Sequence, residues 1–306
     1  MDLSVIIVSY NTRDLLRACL TSVVSTLSSG LDHEVLVVDN ASADGSAAMV
    51  RDAFPQVRLL INKKNRGFAA AGNQALGQSG GRHAILLNPD TVVRRGAFVK
   101  MVKFLDENPQ VGVVGPKLVY PDGGFQHSAF TFPTLPMIFL DYFPLNHRLI
   151  NSRLNGRYSR VLYEEGEPFP IDHPLGAGLM VRRRVMEEVG LLDEGFFMYC
   201  EEIDWCIRIK KAGWQIYCQP QAEITHYVGQ STTQFGDEMF VELHKSRYRV
   251  YRKHYSWRFR RMARWLVRLG LTYRSLQARW AARRGRLDQD ALQNRLGAYR
   301  QVRLLS

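Results

Sequence analysis

The chain has 306 residues, 46% hydrophobic and 23% charged, the composition of a packed globular protein with one large domain and an appendage, or with two domains. No stretch reaches the ~18 consecutive apolar residues of a membrane span. The formal net charge of +12 is unevenly placed: residues 245–306 hold 18 lysines and arginines against Asp288 and Asp290, while residues 1–244 carry a small acidic excess. Two functional regions, an acidic body and a basic tail, are therefore expected.

The opening MDLSVIIVSYN has an acidic second residue, a short apolar run and no small-residue cleavage site. It is expected to be a first strand and not a signal peptide. The runs SVIIVSY, EVLVVDN, VRLLIN, HAILLN and VGVVGP are short and rich in Val, Ile and Leu, as strands buried on both faces should be. Between them TRDLLRACLTSVVSTL and GFAAAGNQALGQS have helical spacing, so residues 1–120 predict parallel βαβ units with right-handed crossovers. Residues 121–172, with FPTLPMIFLDYFPLN, show no clean period and predict an insertion or a long lid. Regular structure returns with the strand GAGLMVRR, the helices RVMEEVG and EEIDWCIRIKKAG, and the strand WQIYCQPQAEITH. From about Met239 the chain reads as helical and basic. The four cysteines, Cys19, Cys200, Cys206 and Cys218, show no CxxC spacing, which points to a reduced, cytosolic setting.

Three strand ends carry polar groups: Ser9-Tyr10-Asn11, Asp39 and Asn88-Pro89-Asp90. Proline ends a strand, and ligands of α/β sheets gather at such ends, so the coincidence favours a nucleotide-sized site. An Asp after a strand also serves as a helix cap or turn former. Gly67, in Asn65-Arg66-Gly67 ahead of an alanine run that ends at Asn73, allows close approach of backbone to a ligand; tight helix packing is the alternative. Neither GxGxxG nor GxxxxGK[ST] occurs, so a dinucleotide fingerprint and a P-loop are both unsupported. Downstream, Glu201, Glu202 and Asp204 lie among Phe196, Phe197, Tyr199 and Trp205. Acids among aromatics have raised pKa values, which suits a general base. His226 ends the last strand, in ITHYVGQST.

Together SVIIVSYN, VVDNAS, NRGFAAAGN, LLNPD, GAGLMVRR, FFMYCEEIDW and ITH resemble the inverting glycosyltransferases of family 2, most closely the rhamnosyltransferase-like branch that builds bacterial surface polysaccharides. The resemblance covers roughly residues 3–255. It implies a GT-A fold: a nucleotide-sugar-binding half over 1–120 and an acceptor and catalytic half over 121–240, with 241–306 left as a basic helical tail. It further implies that Ser9, Tyr10, Asn11 and Asp39 bind the nucleoside, that Asn65, Gly67, Asn73 and Asn88 border the nucleotide sugar, and that Asp90 and His226 hold Mg²⁺ or Mn²⁺ on the diphosphate. The first acid of the family's Asp-x-Asp motif is Asn88 here, one carboxylate fewer. Glu202 matches the catalytic base, with Asp204 and Glu201 as rivals. The implied reaction moves a sugar, rhamnose from dTDP-rhamnose as leading candidate, to a lipid-linked or polysaccharide acceptor.

Two other classes compete. A nucleic-acid-binding protein led by the basic tail would need an interaction motif in the body, and none occurs. A sugar-nucleotide pyrophosphorylase should carry a Gly-rich, Lys/Arg-containing loop after the first strand, which SYNTRD does not match. In the tail, Met262, Leu266, Leu269, Tyr273, Leu276 and Trp280 follow helical spacing, with Trp265 adjoining and arginines around them. Such a face suits the inner surface of an anionic membrane; docking on the body or pairing in a homodimer are the alternatives.

Overall fold

The computed structural model describes residues 1–27, 30–227 and 236–305. Its first part alternates β1 (Leu3–Ser9), α1 (Arg13–Leu27), β2 (His33–Asp39), α2 (Ser46–Ala53), β3 (Arg58–Ile61), α3 (Phe68–Leu76) and β4 (His83–Leu87). A three-residue strand, β5 (Thr91–Val93), follows, then α4 (Ala97–Glu107) and β6 (Val111–Val119). β1 shows why the apolar runs become central strands. Ile6 and Val8 face one core, which takes in α3, while Leu3, Val5 and Ile7 face a second core made with α1, α2 and α4. A strand covered on both faces reads as continuously hydrophobic because its two-residue alternation points apolar groups both ways.

The stretch without a period resolves into pieces too short to have one. They are β7 (Phe125–Gln126), β8 (Ala129–Phe130), α5 (Leu135–Tyr142), α6 (His147–Ile150), α7 (Arg160–Glu164), β9 (Phe169–Pro170) and β10 (His173–Pro174). Side chains of Thr134, Asn146 and Ser159 cap the three helices, so local capping rather than amphipathic spacing sets them. Then come β11 (Gly178–Arg182), α8 (Arg183–Val189), α9 (Glu201–Lys211) and β12 (Gln215–His226).

The main sheet has the order β3-β2-β1-β4-β11-β6-β12-β5. β3, β2, β1 and β4 are parallel, as the βαβ rhythm predicts. β6 does not join β4 directly: β11 inserts between them, antiparallel to both. The sheet is therefore mixed, and a strand from the second half of the chain welds the halves together. β5, unread in the sequence, pairs antiparallel with the end of β12 and sets Thr91 opposite His226.

The tail is α10 (Gly236–His254), α11 (Trp257–Arg283) and α12 (Gln289–Leu304). It is no detached appendage. Tyr248, Tyr251, Leu266, Leu271, Tyr299 and Val302 all join the same core as β1's Ile6. α11 crosses α5 so closely that a Cβ on Gly270 would stand 2.1 Å from the Tyr142 ring. The six-residue face predicted from helical spacing is split: Leu266 is buried, whereas Met262, Leu269, Tyr273, Leu276 and Trp280 stay exposed. The 3.6-residue repeat alone does not tell which of two neighbouring apolar stripes a helix buries.

Candidate active site

At the C-terminal edge of β1 and β2, buried Ser9 bonds Thr12 (Oγ to Oγ1, 2.9 Å) and half-buried Tyr10 sits beside it. Asn11 has a left-handed backbone (φ 53°), with its amide donating to Ser42 Oγ and its Oδ1 accepting from the Ala43 amide. Asp39 does not cap α2, which starts behind Gly45. Its Oδ1 accepts from the Ser42 amide at 3.0 Å, and its Oδ2 is buried without a partner. A buried carboxylate oxygen lacking a donor is costly, and a ligand hydroxyl or base N–H would relieve it.

The Asn65–Asn73 segment is held by contacts within the protein. Asn65 Oδ1 accepts from Asn40 (2.8 Å) and from the Gly67 amide, fixing the loop. Gly67 (φ 80°) leaves no room for a side chain: a Cβ there would lie 2.4 Å from the Phe197 carbonyl oxygen. That same carbonyl accepts from the Phe68 amide at 2.7 Å. The Asn73 amide group is spent on Leu192 and Glu194, so this residue ties α3 to the loop ahead of α9.

Asp90 is 4% exposed, and its Oδ1 has no hydrogen-bond partner. His226 Nε2 stands 3.5 Å from that oxygen, brought there by the β5–β12 pairing. Residues 228–232 of the ITHYVGQST stretch lie outside the described residues. Behind the ring, Gln126 Nε2 donates to His226 Nδ1 at 3.1 Å, and Gln126 Oε1 is buried and unpartnered. With Nδ1 accepting, the ring proton sits on Nε2. Turning the Gln126 amide over would set Oε1 against Nδ1–H and free the Nε2 lone pair for a cation. Gln126 escaped the sequence reading because it lies in the stretch without a period, on a two-residue strand. Asn88 is held by its backbone, its N–H donating to the Ala177 carbonyl. Among the described residues no group of three or more His, Cys, Asp or Glu gathers to hold a metal ion. The orphaned Asp90 oxygen beside His226 nevertheless fits a divalent cation whose remaining ligands are diphosphate oxygens and water.

Tyr199 and Cys200 are both left-handed (φ 68° and 64°), an unfavourable pair for side-chain-bearing residues. The bend delivers Glu201, Glu202 and Asp204 at the start of α9, and their surroundings separate them. Asp204 is fully buried, ion-paired to Arg208 (2.9 Å) and Lys253 (2.5 Å) and hydrogen-bonded to His254 Nε2 (2.7 Å). Burial opposes its ionisation, but hydrogen bonds from Lys253, His254 and Arg208 outweigh that and hold its pKa below the usual range. Glu201 is buried with Oε2 unpartnered; burial, then the neighbouring Glu202 charge, pushes its pKa well up. Glu202 alone of the three lines a cavity of about 290 Å³. Burial raises its pKa to about 7, against the pull of the backbone N–H groups at the helix start.

The cavity is walled by α5 through Met137, Ile138 and Asp141 and by α10 through Arg247 and Tyr251. The link to Asp90 is short. Asn88 bonds Ala177, and a Cβ on the preceding Gly176 would lie 3.7 Å from the Glu202 carboxyl carbon.

A family model for glycosyl transferase family 2 matches residues 4–190. The N-acetylglucosaminyl-diphospho-decaprenol L-rhamnosyltransferase of Mycobacterium tuberculosis is 30% identical over 93% of this chain and 95% of its own length. The dTDP-rhamnosyl transferase RfbF of Shigella flexneri is 26% identical over 64% of this chain and 60% of its own. Among solved structures, the Pyrobaculum calidifontis mannosyltransferase PcManGT in complex with GDP-Man and Mn²⁺ covers 99% of this chain and 83% of its own, at a TM-score of 0.59 and 19% identity. GalNAc-T7 with UDP, GalNAc and Mn²⁺ covers 79% of this chain and 48% of its own, at a TM-score of 0.56 and 16% identity. The mixed sheet with its flanking helices is thus a GT-A fold with a helical C-terminal extension. By family match and by full-length relatives, the chain belongs to glycosyl transferase family 2.

Proposed function

We propose that this glycosyltransferase moves a sugar from a nucleoside diphosphate donor to an acceptor hydroxyl by single displacement, with inversion at the anomeric carbon. Rhamnose from dTDP-rhamnose is the leading donor, since two relatives are named for rhamnosyl transfer. A lipid-linked acceptor is the leading acceptor class, since one relative is named for a diphospho-decaprenol. One observation carries the reading: a half-buried carboxylate with a pKa near neutrality lines a cavity one short segment away from an orphaned carboxylate–histidine pair.

Ser9, Tyr10, Asn11 and Asp39 form the nucleoside edge, with the buried Asp39 Oδ2 as acceptor for a ligand N–H or O–H. Asp90 and His226 would hold Mg²⁺ or Mn²⁺, which when bound supplies positive charge to the departing diphosphate. Asn65 and Gly67 keep the neighbouring loop in place. Glu202, ionised in part near neutral pH, takes the proton from the acceptor hydroxyl as the new bond forms. Burial and the Glu202 charge push the Glu201 pKa well up, which favours its neutral form beside Glu202. The mechanism asks for no nucleophilic Ser or Cys, and the thiols of Cys19, Cys200, Cys206 and Cys218 are buried with raised pKa values.

The test is incubation with dTDP-rhamnose and a panel of UDP- and dTDP-sugars plus Mn²⁺, with a lipid-diphosphate acceptor, reading release of free nucleoside diphosphate. Asp90→Ala should abolish turnover while leaving the fold intact, and His226→Ala should cause a milder loss. Undiminished activity in EDTA or in Asp90→Ala would remove the metal from the mechanism. Release of pyrophosphate instead would favour a pyrophosphorylase.

A further inference from the structure

α11 has two apolar faces, and only one is used. Ala263, Leu266, Val267, Gly270 and Leu271 are buried against the body. On the other side Trp257, Met262, Trp265, Leu269, Tyr273, Leu276 and Trp280 are each 42–61% exposed. They are seven of the seventeen large hydrophobics that the described residues expose, and all lie on one helix. Scattered exposed apolar residues need no explanation, whereas a continuous stripe marks an interaction surface.

Charge narrows the partner. α11 contains eight arginines and no aspartate or glutamate. At about 100° per residue, Trp265, Leu276, Leu269, Met262, Trp280 and Tyr273 fall within an arc of about 80°. Arg261, Arg264, Arg268 and Arg279 form an exposed basic arc along one side of it. At 27 residues and ~1.5 Å each, the helix is about 40 Å long. Among the described residues no helix is long and apolar enough to cross a membrane, so the surface would lie along a bilayer and not through it.

We infer that the exposed face of α11 docks the protein on an anionic lipid bilayer, with Trp265 and Trp280 seated at the headgroup boundary and the arginine arc on lipid phosphates. A second copy of the chain is a poorer occupant. Pairing this face with itself would bring two arginine rows together with no acid on either helix to offset them. Nucleic acid would use the arginines but leave leucines and methionine against a polar backbone. A bilayer satisfies both arcs at once. The inference goes beyond sugar transfer and does not rest on it. Its geometry does have a bearing there: the buried face of α11 packs on α5, whose Met137, Ile138 and Asp141 wall the Glu202 cavity. Two helices, α5 and α11, therefore separate the cavity from the proposed lipid surface.

Because α11 and α12 contribute to the core, truncation would expose buried surface, and the test keeps the full chain. Flotation compares phosphatidylcholine vesicles with vesicles containing phosphatidylglycerol, in low and high salt and without any sugar nucleotide. Expected is binding to the anionic vesicles, weakened by salt, with tryptophan emission quenched by brominated acyl chains. Trp265→Asp with Leu276→Asp should abolish quenching. Arg261→Gln and Arg279→Gln should each lower partitioning about fivefold. Circular dichroism and turnover of a soluble acceptor analogue should be unchanged in all four, which separates a lost surface from a lost fold. Binding that ignores lipid charge, or that survives Trp265→Asp with Leu276→Asp, would overturn the inference. So would a dimer, seen by sedimentation, that these substitutions dissociate while the wild-type chain does not float.

Discussion

Glu202 and Asp204 lie two residues apart on one helix, and their surroundings drive them in opposite directions. Glu202 lines a cavity whose Arg247 is taken up by Asp141, so burial outweighs any ion pairing and its pKa rises to about 7. Asp204 faces α10, where Lys253 and His254 meet Arg208 of its own helix, and it stays ionised. One environment leaves a carboxylate with a raised pKa, suited to the proposed proton acceptor, and the other makes an ionic clasp between two helices. Side-chain chemistry alone assigns neither role; what each carboxylate faces decides it.

The sharpest way to break the comparison is to neutralise each carboxylate in turn. Glu202→Gln should cut kcat by roughly two to four orders of magnitude, with donor affinity and melting temperature nearly unchanged. Asp204→Asn should cost stability instead, by about 3 kcal/mol in denaturant unfolding, because Arg208 and Lys253 lose the buried anion they share. If Asp204→Asn gives the catalytic phenotype and Glu202→Gln does not, the roles are exchanged.

A gentler test uses pH. Glu202 must be ionised to accept a proton and its pKa is raised, so kcat/KM should climb with pH through about 7 and then level off. Glu202→Gln should lose that limb. The Asp204 pKa is depressed in the folded state, so its contribution to stability is present above the unfolded carboxylate value and is lost as pH falls through the folded one. The gap in melting temperature between wild type and Asp204→Asn should therefore begin to narrow below about pH 4 and close only as pH falls through the lower folded-state value. The smallest expected effect lies across the site. Gln126→Leu removes the group behind His226 and should weaken Mn²⁺ binding about tenfold, read by calorimetry in the presence of a nucleoside diphosphate. Unchanged Mn²⁺ affinity would reduce Gln126 to a packing residue.

Much of this architecture was legible in the sequence, for a physical reason. A strand covered on both faces must be apolar throughout, so β1, β2, β4 and β6 announce themselves, and polar residues at their ends mark the sheet edge. β5 was not legible, because three residues after a proline carry no periodicity. Gln126 was hidden in the same way, since its place beside His226 depends on a hairpin closing onto β12. The acid cluster was visible as a group, but its division of labour depended on Lys253 and His254, some fifty residues away. In α11 both apolar stripes were written in the sequence, yet only contact with α5 showed which one the body covers.

Gly67 has a consequence that reaches past its own loop. Its missing side chain lets the Asn65–Gly67 loop rest on the Phe197 carbonyl, four residues before the first glutamate of α9. The start of α3 and the bend that leads to Glu202 therefore share one backbone contact, and a side chain at residue 67 has to push them apart. On the proposed mechanism, with Glu202 as base, Gly67→Ala should register in turnover more than in donor affinity. If that substitution raised the donor KM and left kcat alone, the contact would matter for packing only.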